Sequence, residues 1–291
     1  MTENSKSAAQ PDTRPIVERE AEYRRRLLDQ ILAGTAHFEE FVGRSFEELH
    51  QRWIAPQCAI LQLLLEKLTA WRALSPSAHE PFLELGAFTA HLSGYLATVH
   101  GLHGYSGDLD RELIERSFRE ILPRLGMSAQ NLTAVRADAR QLDFEAGSLG
   151  LVFCFSTLHH LEDPVGGLQE IRRVLRPDGV FLCAKEPVQP AWRRSRKPTD
   201  CPEVRAGLIE NVYRVDEYEK MIGSVFPDFL SMPYEEVRMP GAIPRRLHPL
   251  LSRLINAPER RRLRRFIYAH FGGQDYSALA FAGTKQNAGR S

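Results

Sequence analysis

Six residues in the middle of this chain have the types that acid, base or ligand chemistry requires, and each lies in or just past an apolar run of strand length. Glu84 sits inside the run Phe82 to Leu85, which breaks at Gly86, and Asp108 ends the run around Tyr105 to Gly107. Asp138 follows Leu132 to Ala137, the pair His159-His160 follows LGLVFCF (Leu149 to Phe155), and Glu186 follows VFLCA (Val180 to Ala184). Ionised carboxylates only accept hydrogen bonds, so acids at strand ends suit a ligand rich in hydroxyl and amine donors. Histidine can exchange a proton near neutral pH. Asp108 lies 22 residues beyond Gly86, and nucleoside-binding α/β folds place the acid that takes ribose hydroxyls about 20 residues past a glycine turn. The turn itself is a weak signal, because Phe88 and Ala90 occupy the other two glycine places. Acids also end strands and cap helices without any ligand, so it is Asp108 and Asp138 together, at successive strand ends, that favour a site.

The elements that must position these residues alternate. After Gly86, Leu92, Tyr95, Leu96 and Val99 fall at helical spacing; after Asp110, so do Ile114, Phe118, Ile121, Leu122 and Leu125. A third helix carries Leu168, Ile171, Val174 and Leu175, and the turn RPDG leads into the fifth strand. Strand and helix alternating from Pro81 to Ala184 predict an α/β fold with a doubly wound, mostly parallel sheet. Before it, periodicity predicts a helix over Glu18 to Phe41, a second opened by a Ser45/Glu48 capping box through Trp53, and a third over Ala55 to Trp71. After it come a helix capped by Asp216 and Glu219, a strand over Phe229 to Val237, a basic helical insertion over Pro240 to Phe271, and a last strand over Ser277 to Ala282. The chain thus divides into a disordered tail at 1–15, an N-terminal helical cap at 16–78, and a core at 79–291 interrupted at about 240–274.

Composition excludes several classes. Thirty-eight Lys and Arg balance 37 Asp and Glu, giving a formal charge of +1, so no global field favours nucleic acid. No apolar run is long enough to span a bilayer and the N-terminus lacks a signal pattern, which points to the cytoplasm. Cys58, Cys154, Cys183 and Cys201 form no C-x-x-C pair, which suits reduced thiols and no metal site.

The segment FEAGSLGLVFCFSTLHHLEDPVGGLQEIRRVLRPDGVFLCAKEP, Phe144 to Pro187, closely resembles the class I S-adenosylmethionine-dependent methyltransferases, in particular the subgroup of quinone-ring and natural-product enzymes. The resemblance implies a seven-stranded Rossmann-like core and S-adenosylmethionine as cofactor. It implies that Glu84, Gly86 and Ala87 face the methionine part and that Asp108 binds the ribose hydroxyls. Leu109 would pack on adenine, Asp138 with Ala139 would meet the adenine amino group, and Phe155 or Ser156 would lie along the methionine moiety. Phe88 and Ala90 depart from the family's glycines; the expectation is that Phe88 points into the core.

Methyl transfer from a sulfonium needs alignment and desolvation more than acid or base. His159 and His160 are the nearest catalytic candidates should the acceptor have to lose a proton, with a structural role as the alternative; Glu186 is another. The partner expected is a small, apolar or amphiphilic methyl acceptor. Arginines from Arg245 to Arg265, interleaved with leucines, suit a solvated face, an anionic acceptor, an acidic partner or peripheral membrane contact, and homo-oligomerisation stays open. Two rivals stand beside the small-molecule enzyme: a non-catalytic binding or regulatory protein of the same fold, and a nucleic-acid methyltransferase, which the neutral charge and FSTLHH in place of an N-P-P-Y motif disfavour.

Overall fold

The computed structural model describes residues 14–34, 45–72, 76–189, 194, 201–233, 262–263, 266 and 279–285. Its centre is a seven-stranded sheet in the order β3-β2-β1-β4-β5-β9-β8. The strands are β1 (Phe82–Leu85), β2 (Gly104–Asp108), β3 (Leu132–Arg136), β4 (Leu149–Phe155), β5 (Leu175–Ala184), β8 (Asp228–Pro233) and β9 (Leu279–Thr284), with a two-residue parallel pair, β6 (Val188–Gln189) and β7 (Tyr213–Arg214), beside it. The first five strands run parallel and β9 antiparallel between β5 and β8. This is the doubly wound, mostly parallel, Rossmann-like sheet the sequence predicts. The helices are α1 (Ile16–Ala33), α2 (Phe46–Leu49), α3 (Ala55–Arg72), α4 (His91–His100), α5 (Arg111–Glu120), α6 (Pro164–Val174), α7 (Pro202–Arg205) and α8 (Val215–Val225).

Successive side chains of a strand face opposite sides, and the two cores follow from that alternation. Phe82, Leu151, Phe153, Val180 and Leu182 pack with α1, α3 and α4, including the buried Leu28, Ile31, Leu61, Leu64 and Leu68. Leu83, Leu85, Val152, Cys154, Phe181 and Cys183 pack with α6 and α8. β4 is buried along its whole length, as a central parallel strand covered on both faces should be.

Several boundaries differ from the sequence reading, each for a local reason. α1 ends at Gly34, whose φ of 69° accepts the left-handed cap that a side chain would resist; Phe38 and Phe41 lie outside the described residues. The second and third predicted helices are one run from Phe46 to Arg72, with a π turn at His50–Ile54. Pro56 accounts for it, since its ring clashes with the carbonyl one turn back and a widened turn makes room. Ser45 caps this run as expected, accepting from the Glu48 amide at 3.3 Å. RPDG bulges out of β5: Leu149 pairs with Leu175 while Leu151 already pairs with Val180. α8 is closed by Glu217, which accepts from the Arg214 amide at 2.7 Å; Asp216 instead pairs with Arg214 and Glu219 accepts from Ser231 Oγ. Trp192, Tyr234 and most of the basic insertion lie outside the described residues.

Candidate cofactor site

The carboxyl ends of β1, β2 and β4, where open α/β sheets bind ligands, open into a cleft of about 760 Å³ with its mouth included. Of the residues singled out in the sequence, Gly86, Asp108, Leu109, Asp138, Ala139 and His160 line it, together with Leu85, Ala137 and Thr157. Gly86 has φ 70°, and a Cβ there would collide with Thr157 Oγ1, so glycine is required by both backbone and space.

Asp108 is 2% exposed. Its Oδ1 accepts from the Leu109 amide at 2.8 Å and its Oδ2 from the Phe88 amide at 3.2 Å. Arg24 Nη1 reaches the same Oδ2 at 3.3 Å, while Glu20 takes the other side of the guanidinium at 2.7 Å. Burial raises the Asp108 carboxyl above its ordinary range and Arg24 pulls it back. Asp138 is held by the Arg140 side chain at 2.6 Å and amide at 3.0 Å, and those bonds lower its pKa.

Other predicted residues stand off the cleft. Glu84 is buried, accepting from the amide of Ser93 at 2.9 Å and from its hydroxyl. It caps the N-terminus of α4 because Ala90, at the cap position, has no acceptor of its own. Burial, offset in part by Ser93, lifts its pKa to about 8. Phe155 and Ala87 are packed into apolar clusters, and Ser156 Oγ donates to the Lys185 carbonyl at 2.8 Å. Phe88 also belongs to the core cluster on the α3 side. Its φ of 44° and that of Ala90, 54°, are left-handed, so the backbone keeps a glycine's conformation without the glycines.

His159 is walled off. Its Nδ1 donates to Glu186 at 2.7 Å and its Nε2 meets Glu210 at 3.3 Å. Burial opposes its charge, but the two carboxylates win and raise it to about 9. Glu186, fully buried, also accepts from the amides of Thr157, Leu158 and His159, which makes it the anchor of the loop after β4 and leaves it no lone pair for a substrate proton. His160 does line the cleft; its Nδ1 donates to the Ile209 carbonyl at 2.7 Å, and burial together with the neighbouring His159 lowers it to about 4. Its other nitrogen is therefore an unprotonated acceptor at neutral pH. His159, His160 and Glu210 bring one donor atom each within 4.8 Å of one another, as do Cys154, Cys183 and Glu186. In both groups these contacts are ones the side chains already make among themselves.

The sequence reading missed Ile16, Val17, Glu20 and Arg24, which recur at helical spacing along α1 and roof the cleft, and Ile209 beyond β6. Their signal was the i, i+4, i+8 spacing of Ile16, Glu20 and Arg24, which a polar helix face shares with any solvated surface.

Residues 83–183 match the family model of a methyltransferase domain. The chain is 31% identical over 132 residues to a demethylmenaquinone methyltransferase of Clavibacter sepedonicus, covering 45% of this chain and 51% of that protein. It is 23% identical over 247 residues to the O-methyltransferase resE of Aspergillus sclerotiorum, covering 80% and 89%. A solved SAM-dependent methyltransferase from Aquifex aeolicus is similar at 17% identity, covering 55% of this chain and 77% of that one with a TM-score of 0.39. The match thus spans about half the length of the first relative and most of the second. The sheet order, the strand-end acids and the domain match agree: residues 83–183 are similar to a methyltransferase domain.

Proposed function

We propose that this protein transfers a methyl group from S-adenosylmethionine to a small apolar or amphiphilic acceptor. The observation that carries the reading is the convergence of Gly86, Asp108, Leu109, Asp138 and Ala139 on one cleft at the strand ends. The residues fit the cofactor: two acceptor-only carboxylates match the hydroxyl and amine donors of an adenosine, and Gly86 makes the left-handed turn at the mouth of the cleft. When bound, S-adenosylmethionine supplies the electrophilic methyl group. The chain's own part is to hold and enclose. Asp108 takes ribose hydroxyls, Asp138 the adenine amine, Leu109 and Ala139 the ring faces, and α1 excludes water from above. His160 lines the cleft as a neutral imidazole that can accept a hydrogen bond from the methyl acceptor, while a pKa lowered to about 4 makes it a poor base for an acceptor proton. In this reading the helices before β1 form the cap over the site, in a cytoplasmic protein.

A second reading, a non-catalytic binding protein of this fold, draws on one observation: Arg24 already sits on Asp108. Under the enzyme reading, ribose hydroxyls displace or share that contact. A screen of small phenols, quinones and amphiphilic acids with labelled S-adenosylmethionine separates the two. Turnover of any class supports the enzyme; tight cofactor binding with no turnover across all three supports the binding protein.

A further inference from the structure

The arginines on the polar face of α1 are not equivalent. Arg24 is matched by Glu20 and Asp108, and Arg25 by Asp110. Among the described residues Arg19 has no such match: its Nε is buried with no hydrogen-bond partner, and no carboxylate lies within ion-pair distance of it. A guanidinium cannot shed its charge, so leaving its Nε buried without an acceptor is unfavourable. The fold nonetheless builds a seat for it. The φ of 79° at Gly207 favours glycine, and the guanidinium lies against the turn that follows α7, where a Cβ would meet Arg19 Nη1 and make the side chain shift.

Two cavities meet at this side chain. One, of about 1410 Å³ with its mouth included, is lined by Arg19 with Arg14, Arg26 and Arg205; Glu22 pairs with Arg14 at 2.6 Å and with Arg26 at 3.1 Å. The other is lined by Arg19 with Ile16, Glu162 and Ile209, and those last three also line the cofactor cleft. Arg19 therefore stands between an arginine-lined cleft and the candidate site of chemistry.

We propose that Arg19 is the seat of an anionic oxygen group, a carboxylate or phosphate, carried by the methyl acceptor. The planar fork of a guanidinium matches either group, and the neighbouring arginines would draw an anion into the cleft. This narrows the acceptor from amphiphilic to acidic, and it rests on the methyltransferase reading above.

The test is calorimetric titration of inorganic phosphate and of benzoate, with benzamide as the uncharged match, into the full chain saturated with S-adenosylhomocysteine. Wild type is expected to bind both anions in preference to benzamide. Arg19→Gln should weaken anion binding by at least about tenfold, with Arg19→Lys recovering part of it, because most of the effect is charge. Affinity for S-adenosylhomocysteine should be the same in all three proteins, which also shows that the variants fold. Anion affinity unchanged in Arg19→Gln, or no anion binding to wild type, overturns the proposal. So does a parallel fall in S-adenosylhomocysteine affinity, which would give the seat to the cofactor's own carboxylate. Failure of wild type to bind S-adenosylhomocysteine at all would instead sink the methyltransferase reading.

Discussion

Arg24 Nη1 lies 3.3 Å from Asp108 Oδ2, so the acid expected to hold the ribose is already neutralised by the helix that covers the cleft. Arg24 is itself 14% exposed and braced by Glu20. Arg24→Gln should cost stability by about 1–3 kcal/mol, less than a fully buried pair, because Asp108 keeps two amide donors and can take up a proton. The same variant should bind cofactor no more weakly than wild type, since the hydroxyls no longer compete with a guanidinium. Thermal melts and a titration check both halves; a loss of affinity would make Arg24 part of the cofactor's own contacts.

Phe88→Gly combines three effects. Losing a buried ring costs about 3–5 kcal/mol, release from a left-handed φ returns about 1–2, and glycine's freedom in the unfolded chain takes back about 0.5–1. The expected result is a net loss of about 1.5–5 kcal/mol with little change in cofactor affinity, because the ring belongs to the apolar core and does not line the cleft. Ala90→Gly, at φ 54° and fully buried, loses only a methyl and should be near neutral. Denaturant midpoints for the two variants test the contrast.

Glu84 predicts a pH signature. Its pKa rises from 4.5 unfolded to about 8 in the fold, so the native state binds the extra proton and this group's contribution declines as pH rises from 4.5 towards about 8. Glu84→Gln keeps the shape and removes the titration, so the difference in melting temperature between variant and wild type should grow across that window. A difference that is flat with pH would show Glu84 to be ionised throughout.

His159→Leu should act as a stability variant. It leaves Glu186 and Glu210 facing each other without the cation between them, and breaking one member of a buried ionic group costs about 3–5 kcal/mol. Adding Glu186→Gln, which removes the charge but keeps an oxygen for the Thr157, Leu158 and His159 amides, should recover part of that loss, with the coupling read from the double-variant cycle; a double variant that melts lower than His159→Leu alone would contradict this.

The α/β core was legible because its evidence is local: five apolar runs, each followed by turn chemistry or a helical pattern, define β1 to β5 within a residue or two apart from the bulge that lengthens β5. Asp108 and Asp138 were legible for the same reason, as strand-end acids. Glu84 was not, because a strand's sequence does not say which neighbour a buried acid meets; the answer lay in Ser93, on the next helix. Arg24 and Arg19 were hidden in a face of α1 whose charges read as a solvated surface, and only the packing of α1 over the strand ends turns that face inward. The π turn before α3 was signalled by Pro56, which the periodicity pattern read as a new helix start.

Calorimetric titration of S-adenosylmethionine into wild type and Asp108→Ala tests the central claim most directly. The account predicts saturable binding to wild type and a loss of about 1–3 kcal/mol in the folded variant, the worth of one or two hydrogen bonds to a charged acceptor. Equal affinity in the two proteins would remove Asp108 from the site, and absence of binding to wild type would contradict the assignment of the cleft to the cofactor.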